Sequence, residues 1–497
     1  MLWLCLDLPF LSLEACTRAS DASGPFAISE GQGRTQQVLI ANEAAMRAGI
    51  RPGMPIAAAH ALVSPLQVVE RDQIAERAAL ERLAAWAGQF TSHVSLASPK
   101  ALLLEVEGSL GLFGGLKHLR HRLRSGIAAL GYNAVLSVAP TPLAATWFAR
   151  AADEEPVTNV PALAGRLFEL TLDSLDLPPK QHELLRGLGL ARLGDCLRLP
   201  RDGLARRLGA EFVTALDRAF GRLPDPRTLY VAPATFEAQL ALPGTVDNAQ
   251  EVLFPLNRLL LELAGFLTAR VAGVQTLELR LHHPNAPATC IELGLARATR
   301  DARHLTELFR ERIARVELPE PVEEIVLSAS QLLPLTASES DFFAPRHTRP
   351  EIGAELIERL SARLGREAVR GLDTVAEHRP ERAWHYLEAR ASSATDGRAC
   401  VATDAHAAGA VAAQPALVER PLWLLQKPVL LDVQDGQPCL DGALELEPDN
   451  ERIESGWWDG ADVRRDYFIA RDGEGARLWV YRELSTEGKW WVQGVFG

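Results

Sequence analysis

Cysteine is scarce in this chain, and its spacing excludes two common site types. The 497 residues contain six cysteines. No two of them form a CxxC pair, which argues against a zinc site or a disulfide framework and predicts a protein of the reducing cytoplasm without a metal or other cofactor. They are Cys5, Cys16, Cys196, Cys290, Cys400 and Cys439.

Long apolar runs and excess positive charge are also absent. No run approaches 18 apolar residues, so no membrane span or membrane partner is expected. The first 13 residues are apolar but lack a basic region, and Asp7 and Pro9 interrupt them, which favours a buried strand over a signal peptide. The net charge of −12 argues against wholesale coating of nucleic acid, but it allows a local basic face.

What the chain does contain is typical of a large multidomain globular protein. Apolar residues make up 47% and charged residues 23% of the sequence. The length predicts about three to five domains. Residues 1–162 alternate between strand and helix patterns and indicate an α/β or α+β layer, and the chain as a whole is expected to be an α+β multidomain protein. Strands are predicted at 2–8, 101–106 and 133–138, helices at 36–48, 74–90, 116–130 and 142–152, and a loop at 20–33.

Residues 163–227 differ, because short helices are separated by glycines. The stretch LRGLGLARLGD has the character of a helix–hairpin–helix, whose turn amides can approach a phosphate. Basic residues outnumber acidic ones from Leu184 onward. The predicted DNA-binding residues are Arg186, Gly187, Gly189, Arg192, Arg206 and Arg207. The alternative is an ordinary solvated surface.

Residues 235–330 carry the clearest pattern, in the order β-α-β-β-α-β. This order predicts a ferredoxin-like unit. A loop rich in Pro, Ser and Thr follows at 334–350, then a helix at 351–364. Residues 392–415 have the composition of a flexible linker. Residues 422–497 have a β-like pattern that includes Trp457, Trp458, Trp490 and Trp491.

Three motifs in the expected order resemble the Y family of translesion DNA polymerases. LCLDLPFLSLE resembles the first palm strand, ANEAAMRAGIRPGMPI the fingers motif and SPKALLLEVEGS the second palm motif. The resemblance implies a palm (1–20 and 75–162), fingers (21–74), a helix–hairpin–helix thumb (163–232) and a ferredoxin-like little finger (233–332). A clamp-binding loop, helix and linker (333–415) and a β-rich partner-interaction region (416–497) would follow.

The residues that carry polymerase chemistry in that family are replaced. A polymerase clamps two metal ions about 3.5–4 Å apart with carboxylates. The metal-binding acids align with Cys5, Lys100 and Ala101, leaving Asp7, which matches a non-essential acid. A thiol, an ammonium and a methyl cannot ligate Mg²⁺. The triphosphate-binding Tyr and Arg align with Glu43 and Met46, and the palm Lys with Thr146 or a residue nearby.

This pattern resembles the catalytically inactive ImuB-type group of the Y family. The resemblance implies an adaptor in DNA damage-induced mutagenesis that binds DNA and the β sliding clamp. It further implies contact with an ImuA-type protein and recruitment of an error-prone C-family DNA polymerase. Two alternatives stay open: an active, divergent translesion polymerase, and a DNA-binding structural protein without these partners.

Two segments are candidates for clamp binding, and four tryptophans for partner binding. The clamp peptide is close to QLxLF. Glu339, Asp341, Phe342 and Phe343 supply its acidic and aromatic end, whereas Gln331 and Leu332 supply its beginning. A phenylalanine pair in a polar loop can also simply fasten the loop to a neighbouring domain. Trp457, Trp458, Trp490 and Trp491 fit either a partner interface or the core of a small β domain.

Overall fold

The structure is a computed structural model that describes residues 1–19, 24–97, 99–175, 177–335, 349–388, 419–434, 436–484 and 488–496. The chain divides into two compact units, Met1–Arg363 and Leu364–Gly497. The predicted clamp-binding residues Glu339, Asp341, Phe342 and Phe343 lie outside the described residues.

The amino-terminal part of the first unit is built on a four-stranded sheet of order β5-β6-β1-β7. Leucines at alternate positions of β1 pack against α4 and α5, whereas Trp3 and Cys5 face a second core with α6. This alternation follows from the two-residue period of a strand. The elements are β1 (Trp3–Asp7), α1 (Leu11–Thr17), β2 (Phe26–Glu30), β3 (Gln37–Ala41), α2 (Glu43–Arg47), α3 (Ile56–Leu62), β4 (Gln67–Glu70), α4 (Gln73–Ala87), β5 (Val94–Ala97), β6 (Ala101–Glu105), α5 (Leu116–Ala129), β7 (Val135–Ala139) and α6 (Pro142–Arg150).

The fingers segment corrects two predictions. The expected loop at 20–33 contains β2, and the expected helix at 36–48 is β3 followed by the short α2. β3 pairs with β2 antiparallel, and β4 pairs with β2 parallel. Asn42 separates β3 from α2, because its side chain accepts a hydrogen bond from the Ala45 N–H as an N-cap. Strand pairing therefore overrides the helical composition of this segment.

The thumb consists of short helices around an apolar centre that continues into the α6 side of the palm. Gly189 and Gly209 have φ angles of 72° and 88°, and both lie at helix ends, where this conformation suits glycine. Thr141 before α6 donates to the carbonyl of Ala219 at 2.8 Å, which ties palm to thumb. The helices are α7 (Val160–Glu169), α8 (Pro179–Gly187), α9 (Leu193–Leu197), α10 (Arg201–Leu208) and α11 (Ala210–Ala219).

The little finger has the predicted β-α-β-β-α-β order. Its sheet runs β10-β9-β11-β8, with short β12 also paired to β9, and the two long helices cover its core. The stretch Ala249–Ala269 is long and apolar enough to cross a membrane, and 56% of it is buried within the protein. It serves here as the central core helix. The elements are β8 (Phe236–Val246), α12 (Leu253–Ala269), β9 (Ala272–His282), β10 (Thr289–Thr299), α13 (Ala302–Ile313), β11 (Val322–Ala329), β12 (Leu332–Pro334) and α14 (Arg349–Leu364).

The second unit contains a two-stranded hairpin and a six-stranded antiparallel sheet of order β16-β15-β20-β19-β18-β17. Arg379, next to the hairpin, bonds Asp459 at 2.6 Å and so joins hairpin and sheet. Residues 364–388 thus belong to this unit, ahead of the boundary expected at 416. The strands are β13 (Arg370–Thr374), β14 (Trp384–Glu388), β15 (Trp423–Gln434), β16 (Gln437–Cys439), β17 (Glu445–Ser455), β18 (Val463–Arg471), β19 (Arg477–Glu483) and β20 (Trp490–Val495).

Candidate functional site

The two palm motifs converge at one end of the β1–β6 pair. Asp7 lies opposite Ala101 in the strand register, and the Leu8 N–H donates to the Lys100 carbonyl at 2.8 Å. Cys5 lies two residues before Asp7 on β1 and therefore on the same face of the strand. The structure therefore brings together Cys5, Asp7, Lys100 and Ala101, which the sequence places almost 100 positions apart.

Burial controls the chemistry of Cys5. Burial, followed by the charge of Asp7, raises the pKa of the Cys5 thiol to about 12. A hydrogen bond with Thr146 and the positive charges of Arg150 and Arg227 oppose this rise in pKa. The thiol therefore stays protonated at neutral pH and behaves as a small buried apolar group.

Asp7 is a buried carboxyl surrounded by positive charge. Asp7 is only 3% exposed, and its Oδ1 atom has no hydrogen-bond partner among the described residues. Burial raises the pKa of Asp7, while the charges of Lys100 and Arg150 lower it. In place of metal ions, the side chains of the protein itself supply the cations that face this carboxyl.

Two cations near this centre, Arg150 and Arg227, were missed at the level of sequence. Arg150 follows Thr146 by four residues on α6, so helical spacing places both on one face, and this signal was available. Arg227 comes from the connection between thumb and little finger, where it pairs with Asp225 at 2.5 Å. No local pattern indicates that this connection returns to the palm.

The triphosphate-binding positions of the fingers are also occupied by unsuitable side chains. Glu43 is exposed on α2 and pairs with Arg47 at 2.6 Å, as an ordinary i,i+4 ion pair. Met46 is partly buried against the small fingers core. An acid at Glu43 repels a triphosphate, and a thioether cannot form the paired hydrogen bonds of an arginine.

The acidic residues at the end of the second palm motif bond to groups outside the centre formed by Cys5, Asp7 and Lys100. Glu105 Oε1 accepts the Leu2 N–H at 3.1 Å, and Glu107 pairs with the terminal amine of Met1 at 2.5 Å. Across the described ranges, no group of three or more His, Cys, Asp or Glu side chains is arranged to hold a metal ion. The residues at the centre itself, a thiol and a lysine ammonium, do not suit Mg²⁺.

Two of the predicted thumb arginines, although exposed, already pair with an acidic residue. Arg186 pairs with Asp173 at 2.8 Å, and Arg192 pairs with Glu169. Arg206 and Arg207 are exposed in the last turn of α10. Their positions make these two the better-placed cations for a phosphate backbone.

The turn amides expected to approach phosphate are used within the protein. Gly187 ends α8, and the Gly189 N–H donates to the Arg186 carbonyl at 2.9 Å. The N–H groups of Ala191 and Arg192 both donate to the Asp195 carboxylate, which lowers its pKa. Side chains, rather than these amides, are therefore available for DNA.

The described part of the clamp candidates is Gln331 and Leu332. Gln331 is exposed, whereas Leu332 is the first residue of β12, pairs with Val274 and packs on the little-finger core. For Leu332 to enter a groove on another protein, β12 would have to leave β9.

The four tryptophans fall into two groups. Trp490 is buried in the core of the C-terminal sheet, and Trp491 is partly buried and stacks with Tyr481 at 6.4 Å. Trp457 and Trp458 are 79% and 57% exposed, with their rings 5.4 Å apart. The core interpretation fits the first pair, and the surface position needed for docking fits the second.

Sequence comparisons find both a family profile and full-length relatives that are similar to this chain. The profile of the impB/mucB/samB family matches residues 6–150. Proteins named ImuB from two strains of Caulobacter vibrioides, NA1000 / CB15N and ATCC 19089 / CIP 103742 / CB 15, are each 27% identical over 478 residues. The matched region covers 90% of this chain and 100% of each relative.

Solved polymerase structures are also similar, at lower identity. An insertion ternary complex of Dbh DNA polymerase has 18% identity and a TM-score of 0.40, covering 67% of this chain and 99% of that chain. DinB from Sulfolobus solfataricus has 17% identity and a TM-score of 0.38, covering 68% and 100%. Residues 6–150 thus match the impB/mucB/samB family, and over 90% of its length the chain is similar to proteins named ImuB.

Proposed function

We propose that the protein is a non-catalytic adaptor of translesion synthesis and damage-induced mutagenesis. It would act by contacts, binding DNA and the β sliding clamp and recruiting an error-prone C-family polymerase together with an ImuA-type protein. The observation that carries this proposal is the set of side chains at the old catalytic centre. Cys5, Lys100 and Ala101 stand where carboxylates would hold metal ions.

Electrostatics at this centre supports the same proposal. Nucleotidyl transfer needs two divalent cations beside the reacting phosphates. Burial raises the pKa of Asp7, and the charges of Lys100 and Arg150 lie close enough to oppose that rise, so an incoming dication meets positive charge. A single buried carboxyl among cations is a poor ligand for such an ion.

Direct metal titration tests the proposal. Mn²⁺ is added to the purified full chain, and its free concentration is followed by electron paramagnetic resonance, with an active Y-family polymerase as positive control. We expect no saturable site that Asp7→Asn abolishes. Saturable binding of a pair of ions, lost in Asp7→Asn, would overturn the proposal and favour the active polymerase.

DNA binding in this proposal rests on the exposed thumb arginines. Arg206 and Arg207 lie side by side in the last turn of α10. Contacts of this kind neutralise phosphates without reading bases, so binding should be nonspecific and strongly salt-dependent.

Clamp binding is proposed for 339–343 rather than for Gln331–Leu332. The reason is the strand pairing and core packing of Leu332. Partner docking is proposed for Trp457 and Trp458, because tryptophans that present an exposed apolar face are effective interface anchors.

A further inference from the structure

A buried ion pair connects the little finger to the palm. Arg18, which follows α1, and Glu262 on α12 are in contact with side chains 0% and 2% exposed. Arg82 on α4 approaches the second oxygen of Glu262 at 3.3 Å. The Arg18 guanidinium also lies 5.0 Å from the centre of the Tyr132 ring. Two palm arginines thus approach one little-finger carboxylate, and a palm tyrosine packs against one of them.

Beside this cluster, the two helices meet without room for an added methyl group. A Cβ atom at Gly265 of α12 would lie 2.2 Å from the Trp86 ring of α4. A Cβ atom at Gly126 of α5 would lie 2.4 Å from another atom of the same ring. Trp86 is therefore held between the little finger and a palm helix, and its position requires both glycines.

The connecting segment is fastened to the palm as well. The Tyr230 N–H donates to the Val94 carbonyl at the start of β5 at 2.7 Å. Arg270, which follows α12, donates to the Ala232 carbonyl at 2.8 Å. The thumb-to-little-finger connection is thus held at both the palm and the little-finger side.

These contacts have different energetic roles. Burial of Trp86 supplies apolar contact area, which drives association. A buried ion pair adds little net stability, but any shifted docking register would leave Glu262 as an uncompensated buried charge. Together they favour one docked position strongly over its neighbours.

We propose that the Arg18–Glu262–Arg82 cluster and the Gly265–Trp86 contact lock the little finger onto the palm as one rigid body, in the free protein and on DNA. Such a lock would act in the same way whether or not the protein is an adaptor. The lock fixes the relative position of two domains that are joined by a connecting segment.

Hydrogen exchange of the full-length chain tests the lock. Gly265→Ala should speed exchange in α4, α12 and the Tyr230 amide by roughly tenfold or more, while β9 and β11 keep their wild-type protection. Glu262→Gln, which keeps the side-chain shape, should act in the same direction. Gly165→Ala is the matched control, because a Cβ atom on that α7 glycine meets nothing within 4 Å.

Three outcomes would overturn the proposal. The first is wild-type exchange at the interface in both Gly265→Ala and Glu262→Gln. The second is loss of protection throughout β9 and β11, which would make the contacts part of the little-finger core rather than a lock between domains. The third is faster exchange in α4 and α12 when duplex DNA binds the wild-type chain.

Discussion

Asp7 and Lys100 face one another as a buried carboxyl and a cation, where a polymerase would place acids around metal ions. The charge of Lys100 lowers the pKa of Asp7, against the opposite effect of burial. A lysine at this position thus does more than remove a ligand. Under the proposal of a non-catalytic adaptor, its positive charge opposes the approach of a metal ion.

Thiol reactivity tests the description of Cys5. Because burial raises the pKa of Cys5 to about 12, the thiol should remain unmodified by iodoacetamide at pH 8 in the folded chain. Cys290 is exposed and should be alkylated under the same conditions, as the internal control. Peptide mass spectrometry gives both rates. Equal alkylation of Cys5 and Cys290 in folded protein would contradict the structure at this centre.

DNA binding should depend on the exposed end of α10. Replacing both Arg206 and Arg207 by Ala should weaken duplex binding. If each arginine contacts one phosphate, the slope of log Kd against log salt concentration should fall by about 2. Fluorescence anisotropy across a salt series measures this slope. Arg77→Ala, which removes an exposed arginine from α4, should leave the slope unchanged. An unchanged slope in the double variant would exclude α10 from the DNA interface.

Clamp binding separates the two candidate peptides. Phe342→Ala with Phe343→Ala should abolish capture of the chain on immobilised β clamp, whereas Gln331→Ala should retain it. The reason is that Leu332 is already engaged in β12 and the little-finger core. Surface plasmon resonance measures both. The reverse pattern would show that β12 detaches to bind the clamp, and retention in both variants would remove clamp binding from these segments.

Acid stability of the C-terminal unit should depend on Arg379. Hydrogen bonds from Arg379 lower the pKa of Glu377 from 4.5 to about 2 and that of Asp459 from 3.8 to about 2. A lowered folded-state pKa stabilises the fold above the unfolded-state pKa, and this contribution is lost as pH falls toward 2. Wild-type stability should therefore decline between about pH 5 and pH 2.

Arg379→Met should destabilise the C-terminal unit at pH 7 and flatten this decline, as followed by calorimetry of the full chain. Arg382→Met is the control, since that arginine is 53% exposed and also pairs with Asp459. A similar loss of Tm in both variants would mean that Arg379 has no special role in joining hairpin and sheet.

Much of the fold could be predicted from the sequence, because a long segment with a regular spacing of apolar residues indicates whether it is a helix or a strand. The little finger and the palm strands at 101–106 and 133–138 appear near their expected positions. The fingers strands were missed because β2 and β3 are stabilised by pairing with each other and with β4, a nonlocal effect that composition does not carry.

The residues of the candidate site also fall into those that the sequence could predict and those that it could not. Motif alignment identified Cys5, Asp7 and Lys100, since each replaces a residue of known type at a known spacing. Arg227 and the Arg18–Glu262 pair could not be found, because their partners are more than 200 residues away in sequence and only tertiary packing brings them together. Burial alone decides that Trp490 is core and Trp457 is surface.

Primer extension by the purified chain tests the central claim most directly. The assay uses a primed template with Mg²⁺ or Mn²⁺, and Asp7→Asn protein purified in parallel. We expect no extension by either protein above the level of a mock purification. Extension that co-elutes with the wild-type chain and disappears in Asp7→Asn would contradict the central claim.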